Sequence, residues 1–273
     1  MKLGITSYVY RWAIGTTDFR PKEPLNVFGL LDKASSHGLE VLQICENINL
    51  DMTIKDYEVL GEAAKRKGII IELGTNRMDR STLSKYVQIA ELTDSRLLRV
   101  CPQKREPIQR LVKRLRDFLP ELRDRGITLA IENSSLGIYN SYDLVEILKQ
   151  VNDPLVGACV DVANSLGLLE KPLETVKILA PYAKSLHLKD FCIKRAPRGG
   201  GFIISGVPLG EGMLNVKAVI DIIKNSGCSP NVLIEQWMER KSDEEETLKE
   251  EERWLKKSIR FLRSILAQLG DER

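Results

Sequence analysis

Eight short runs rich in Val, Ile and Leu alternate with longer amphipathic segments from end to end, and glycines stand at several helix-to-strand junctions. Together these predict an α/β fold in which one (β/α)8 TIM barrel occupies residues 1–273 as a single domain. The strand runs are 3–8 (LGITSY), 39–45 (LEVLQIC), 69–74 (IIIELG), 96–101 (RLLRVC), 127–132 (ITLAIE), 155–161 (LVGACVD), 184–189 (KSLHLK) and 231–236 (NVLIEQ). An open doubly wound sheet is the alternative, but no G-x-G-x-x-G follows the first strand.

The helical segments follow in order near 25–37, 56–67, 81–93, 107–125, 141–151, 173–182, 215–226 and 244–269. Gly38, Gly68, Gly126 and Gly227 close four of them, at the C-terminal position where a left-handed backbone is easiest for glycine. The basic stretch 104–116 reads as the wet face of an outer helix, and the acidic run at 242–252 as a solvated helix start favoured by the helix dipole. One connection is out of proportion. Residues 192–214, with RGGG and Phe202, Ile203 and Ile204 to pack, read as a long loop over the barrel mouth.

Hydrophobic residues at 43% and charged residues at 29% are enough for a buried core inside a charged shell. The 41 basic and 38 acidic residues nearly cancel to +3, so no field strong enough to select nucleic acid or an anionic membrane is implied. Cys45, Cys101, Cys159, Cys192 and Cys228 are scattered without a C-x-x-C pair and read as reduced thiols of a cytoplasmic protein. Neither a secretion signal nor a membrane span is expected, and homo-oligomerisation is left open.

In such a barrel, functional side chains gather at the C-terminal ends of the strands. Strands five to eight end in Glu132 (LAIENS), Asp161 (ACVDVAN), His187 (SLHLKD) and Glu235 (VLIEQW). Any one of these alone reads as a hydrogen-bonded structural group, but four on consecutive strands do not. Three carboxylates converging in an apolar barrel repel one another unless a cation compensates them. Three carboxylates and one imidazole suit an open Mn²⁺ site, and also Mg²⁺, Co²⁺ or Fe²⁺, better than a closed structural zinc site.

The order Glu, Asp, His, Glu, with the phrases AIENS, DVANS, HLKDF, GVPLGEG and LIEQW, resembles the xylose-isomerase-like barrels of the sugar phosphate isomerase/epimerase family. The resemblance covers essentially the whole chain. It implies that Glu132, Asp161, His187 and Glu235 are metal ligands, and that Glu132 and Glu235 serve as acid and base on opposite faces of a sugar or keto-sugar. The expected chemistry is proton abstraction next to a carbonyl through a metal-stabilised enediolate, giving isomerisation or epimerisation. Dehydration or elimination on inosose or 3-keto-sugar substrates is the runner-up.

Three positions depart from the ketose 3-epimerases of that family. A histidine, a glutamate and an arginine are replaced here by Asn164, Ile138 and Ile193. Other candidate substrate contacts are Lys189, which shares the face of His187, with Asn164, Arg99, Trp12, Gln43 and Glu72 near other strand ends. For Arg99, Trp12, Gln43 and Glu72, packing is the competing role. The same fold serves endonuclease IV-type DNA repair enzymes. Those need several histidines, whereas only His37 and His187 exist here, and His37 reads as a helix-ending residue.

Overall fold

The structure, a computed structural model, describes residues 1–134 and 138–270, so 135–137 and 271–273 of the expected domain lie outside that description. The first seven barrel strands are Leu3–Thr6 (β1), Val41–Ile44 (β2), Ile70–Thr75 (β3), Leu97–Val100 (β4), Thr128–Glu132 (β5), Val156–Asp161 (β6) and Ala183–Leu188 (β7). A hairpin of Asp190–Arg195 (β8) and Phe202–Val207 (β9) follows, and Asn231–Ile234 (β10) is the eighth barrel strand. The parallel sheet closes in the order β1, β10, β7, β6, β5, β4, β3, β2, as the alternation of runs predicts.

Helices surround it: Arg11–Ile14 (α1), Val27–Ser36 (α2), Ile54–Arg66 (α3), Arg80–Leu92 (α4), Ile108–Arg125 (α5), Ser141–Val151 (α6), Pro172–Leu179 (α7), Val216–Asn225 (α8) and Glu244–Gln268 (α9). Gly38, Gly68, Gly126 and Gly227 all take positive φ, as their places after helices require. The long α9 shows how pattern becomes packing. Asp243 caps its first turn by accepting from the Glu246 N–H at 2.8 Å, three glutamates follow at the dipole's positive end, and Leu255, Ile259, Leu262 and Leu266 face the barrel, buried. Among the described residues no helix is long and apolar enough to cross a membrane, and all five cysteines are free.

A β-bulge positions the site. Between β6 and β7 the register shifts, so that Ala158 pairs with Ala183 but Cys159 pairs with Ser185, leaving Lys184 as the extra residue. Because side chains alternate with a period of two, this single insertion brings His187 into register with Asp161, on the same inner face. Gly157 lies against the bulge, where an added Cβ would fall 2.5 Å from the Tyr182 carbonyl oxygen.

The segment expected to be a loop is the β8–β9 hairpin plus a return turn, because two strand-length runs flank the flexible RGGG. Its apolar tip does not pack: Phe202 is 68% exposed and Ile203 46%. The base does, with Gly206 so near Trp237 that a Cβ would sit 2.3 Å from the Trp237 carbonyl oxygen. Asp190 holds the return turn: Oδ1 accepts from Phe191 N and Leu214 N, and Oδ2 from Gly210 N and Gly212 N, at 2.8–3.0 Å. Asp190→Ala strands four N–H groups and is expected to cost about 2–4 kcal/mol in urea denaturation, with faster proteolytic cleavage within 192–214.

His37, read as a helix end, also joins elements. Its Nε2 lies 2.9 Å from Glu252 on α9, which accepts from Lys33 at 3.0 Å and from the Tyr10 hydroxyl at 2.8 Å. Burial works to raise the half-buried Glu252, yet these donors hold its pKa down at about 2. A depressed carboxylate stabilises the fold above its unfolded pKa near 4.5, and that contribution is lost as pH falls toward 2. Acid denaturation of Glu252→Gln is therefore expected to show a shallower slope in this window, with about 1–2 kcal/mol lost at pH 7 after allowing for solvent screening.

Candidate metal centre

The four strand-end residues converge. His187, fully buried on β7, turns Nδ1 toward Glu235 Oε1 at 3.4 Å and toward Glu132 Oε2 and Asp161 Oδ2, each at 3.8 Å. Neither ring nitrogen has a hydrogen-bond partner, which is rare for a buried imidazole. Two overlapping donor sets, Asp161 with His187 and Glu235, and Glu132 with Cys159 and His187, each have ligand atoms within 4.8 Å of one another, a spacing that donors about 2.1 Å from one cation can adopt.

Each carboxylate is oriented by the protein. Asp161 Oδ1 accepts from the N–H groups of Ala163 at 3.0 Å and Asn164 at 2.8 Å, leaving Oδ2 to face inward. Asn133 clamps the Asp161 backbone on both sides, accepting from its N–H and donating to its carbonyl, both at 2.8 Å. Glu132 Oε1 accepts from Asn164 Nδ2 at 2.8 Å, and Oε2 meets Arg99 Nε. Glu235 Oε1 accepts from the Thr6 hydroxyl at 3.0 Å, and Oε2 meets Lys189 Nζ.

Arg99 and Lys189, expected as substrate contacts, lie in the cluster as counter-ions. Arg99 bridges Glu132 and Glu46, reaching Glu46 Oε2 at 2.8 Å. Lys189 bridges Glu235 and Asp161, 2.7 Å from Asp161 Oδ2 and 4.9 Å from the centre of the Trp237 ring. Burial raises the pKa of Glu132 and Asp161, against the pull of Arg99 on the first and Lys189 on the second. Burial acts the same way on Glu235, but Lys189, His187 and Arg99 hold it at about 2, while His187 is pushed down to about 4, chiefly by burial. A neutral imidazole has a lone pair to offer. Counted as ionised, four carboxylates (Glu46, Glu132, Asp161, Glu235) exceed two cations (Arg99, Lys189) by two, the charge of one divalent cation.

The cluster opens into a cavity of about 210 Å³ lined by Tyr8, Arg11, Glu46, Gln103, Asn164 and Trp237 among others. No hairpin residue from 192–207 lines it, so β8 and β9 stand beside the mouth. Gln43 and Glu72 lie deeper. They hydrogen-bond each other at 2.9 Å, and Asn231 Nδ2 donates to Glu72 Oε1 at 2.7 Å, a polar layer inside the barrel that is not part of the cavity wall. Trp12 is in an adjoining pocket of about 380 Å³, its indole N–H donating to the Met238 carbonyl at 2.9 Å. Glu46, Tyr8 and Arg11 were missed by sequence reasoning. Glu46 carried a signal, since it follows the apolar end of β2 as the four cluster residues follow theirs.

A closed parallel barrel with acidic and imidazole groups at its C-terminal rim defines a class, and the comparison with known families agrees. The chain belongs to the xylose isomerase-like TIM barrel family, whose model matches residues 31–265. It is 28% identical over 266 residues to the 3-oxo-isoapionate decarboxylase of Pectobacterium atrosepticum, covering 96% of this chain and 95% of that protein. Its fold is similar to D-psicose 3-epimerase from Clostridium cellulolyticum H10, solved with D-tagatose, at TM-score 0.74 and 14% identity over 97% of this chain and 99% of that one. A Mycobacterium smegmatis xylose isomerase-like TIM barrel protein, solved in complex with magnesium, matches at TM-score 0.67 and 16% identity over 94% and 96% of the two chains.

Proposed function

We propose that the protein is a divalent-cation-dependent enzyme acting on a keto-sugar acid, and that it releases CO₂ from a 3-oxo acid by way of an enediolate. One observation carries the choice of lyase over isomerase or epimerase: 28% identity to the 3-oxo-isoapionate decarboxylase runs over 96% of this chain. Epimerisation needs a base to take a proton from carbon and an acid on the opposite face to return one. Decarboxylation of a 3-oxo acid needs no such base. The bond to the carboxyl carbon breaks, its electron pair stays on the substrate carbon and delocalises onto the keto oxygen, CO₂ leaves, and a proton from solvent takes the vacated position. The relative from Pectobacterium supports this reading by the reaction its name describes.

Glu132, Asp161, His187 and Glu235 would hold the cation, with Mn²⁺ the first choice and Mg²⁺, Co²⁺ or Fe²⁺ suited to the same donors. When bound, it supplies positive charge for the electron density gathering on the keto and adjacent hydroxyl oxygens. The protein's own groups do the rest. Lys189 and Arg99 balance part of the carboxylates' charge, the backbone N–H groups of Ala163 and Asn164 hold the Asp161 carboxylate, the Asn164 side chain holds Glu132, and Trp237 walls one side.

The test is to incubate the Mn²⁺-loaded protein in D₂O with a panel of 3-oxo sugar acids, ketoses, 3-keto-sugars and inososes, following carbon-bound hydrogen and CO₂ by NMR. CO₂ release with one deuterium incorporated supports the lyase reading. Exchange or inversion on ketoses without CO₂ release restores the isomerase reading, and inertness toward the whole panel removes both.

A further inference from the structure

The cavity holds three cationic side chains, and two of them are spent: Arg99 on Glu132 and Glu46, Lys189 on Asp161 and Glu235. The third, Arg11, has no ion-pair partner among the described residues. It is exposed at the rim, its guanidinium stacked 5.3 Å from the centre of the Trp12 ring. That ring is fixed in turn, through the indole bond to Met238 and through Glu251 Oε1, which accepts the Trp12 backbone N–H at 2.7 Å. Arg11 also stands where two spaces meet, for it lines both the cluster cavity and the adjoining pocket, which share Tyr8, Gln236 and Trp237. Asp18, whose charge Arg11 and Arg240 feel, is exposed and already accepts from Thr16 Oγ1 at 2.6 Å. Arg240 lines only the outer pocket, beside Glu239 of opposite charge.

Charge counting gives this free guanidinium a role. Counted as ionised, the four carboxylates of the cluster exceed Arg99 and Lys189 by two, so a bound divalent cation brings the cavity to neutrality without Arg11. Arg11 then stands at the rim with no carboxylate within ion-pair distance among the described residues. That matches a ligand with one negative charge. A neutral ketose leaves Arg11 unanswered, and a phosphate dianion leaves a negative charge over.

Resting on the proposed function for the class of substrate, we infer that Arg11 is a specificity-determining residue that binds the carboxylate of a singly charged sugar acid while its hydroxyl oxygens face the cluster. A planar guanidinium held against an indole can meet a carboxylate with two parallel N–H···O bonds, which an ammonium cannot.

The probes are D-erythronate, its neutral counterpart erythritol, and erythritol 4-phosphate, titrated into the Mn²⁺-loaded protein with Trp12 and Trp237 fluorescence as the readout. Wild type is expected to bind D-erythronate at least about tenfold more tightly than either of the others. Arg11→Met should lose about 10- to 100-fold on D-erythronate and nothing on erythritol, and Arg11→Lys should recover only part of the loss. The inference is overturned if wild type does not discriminate, if it prefers the phosphate, or if Arg11→Met weakens acid and alcohol alike. Because binding is read without turnover, a wild type that selects D-erythronate through Arg11 yet releases no CO₂ from any 3-oxo acid sinks the lyase reading and leaves the role of Arg11 intact.

Discussion

Asp161→Asn is expected to weaken Mn²⁺ binding by at least about 100-fold, beyond what loss of a merely supporting group costs, and to lower turnover by about three orders of magnitude. The reason lies in how the two oxygens of Asp161 are divided. Oδ1 is bound to the N–H groups of Ala163 and Asn164, and an asparagine oxygen can take that place without disturbing the turn. Oδ2 faces His187 Nδ1 at 3.8 Å and Lys189 Nζ at 2.7 Å, and there the substitution puts an amide that carries no charge and aims N–H donors at an ammonium. The fold is thus kept while the inner face of the site changes. Isothermal titration with Mn²⁺, alongside a urea denaturation that shows the variant folded, separates loss of the site from loss of the protein.

Lys189→Met is expected to destabilise the cation-free protein by about 3–5 kcal/mol, because removing one partner leaves Asp161 and Glu235 facing each other in a buried site. Both carboxylates are nearly inaccessible, and Lys189 itself is 3% exposed, so water cannot take over the role of the ammonium. Excess Mn²⁺ should return most of the lost stability, since the cation compensates the same two carboxylates. Urea denaturation in chelator and in Mn²⁺ measures the difference. Equal destabilisation in both conditions would mean that Lys189 and the cation do not share those groups.

The sequence made the four cluster residues legible because each is a polar group closing an apolar strand, and alternation places strand ends on the inner face. It could not show what Arg99 and Lys189 touch. Facing inward is a property of one strand, whereas pairing with Glu132 or with Asp161 and Glu235 depends on strands that become neighbours only when the barrel closes. Depth was hidden for the same reason. Gln43 and Glu72 face inward, in register with each other, but the stagger of the strands sets them below the mouth, where Asn231 at the start of β10 can reach Glu72. Tyr8 and Arg11 lie beyond the end of β1, in the short helical turns Ser7–Tyr10 and α1, whose orientation on the barrel rim the strand period does not set.

The bulge at Lys184 was also silent in the sequence, and without it the period of two would carry His187 away from Asp161. The hairpin, by contrast, was written there: DFCIKR and FIISGV flank PRGGG, two strand-length runs around a glycine turn, although their apolar residues suggested packing that the tip does not make.

The claim on which the rest depends is that Glu132, Asp161, His187 and Glu235 together hold one divalent cation. It is tested most directly by adding Mn²⁺ to chelator-treated protein and following the free-ion electron paramagnetic resonance signal, for wild type and for His187→Ala. One equivalent of Mn²⁺ should lose its free-ion signal in wild type, and the alanine variant should leave the added ion free. A wild type that leaves all added Mn²⁺ in solution, or an alanine variant that binds it equally well, would contradict the assignment.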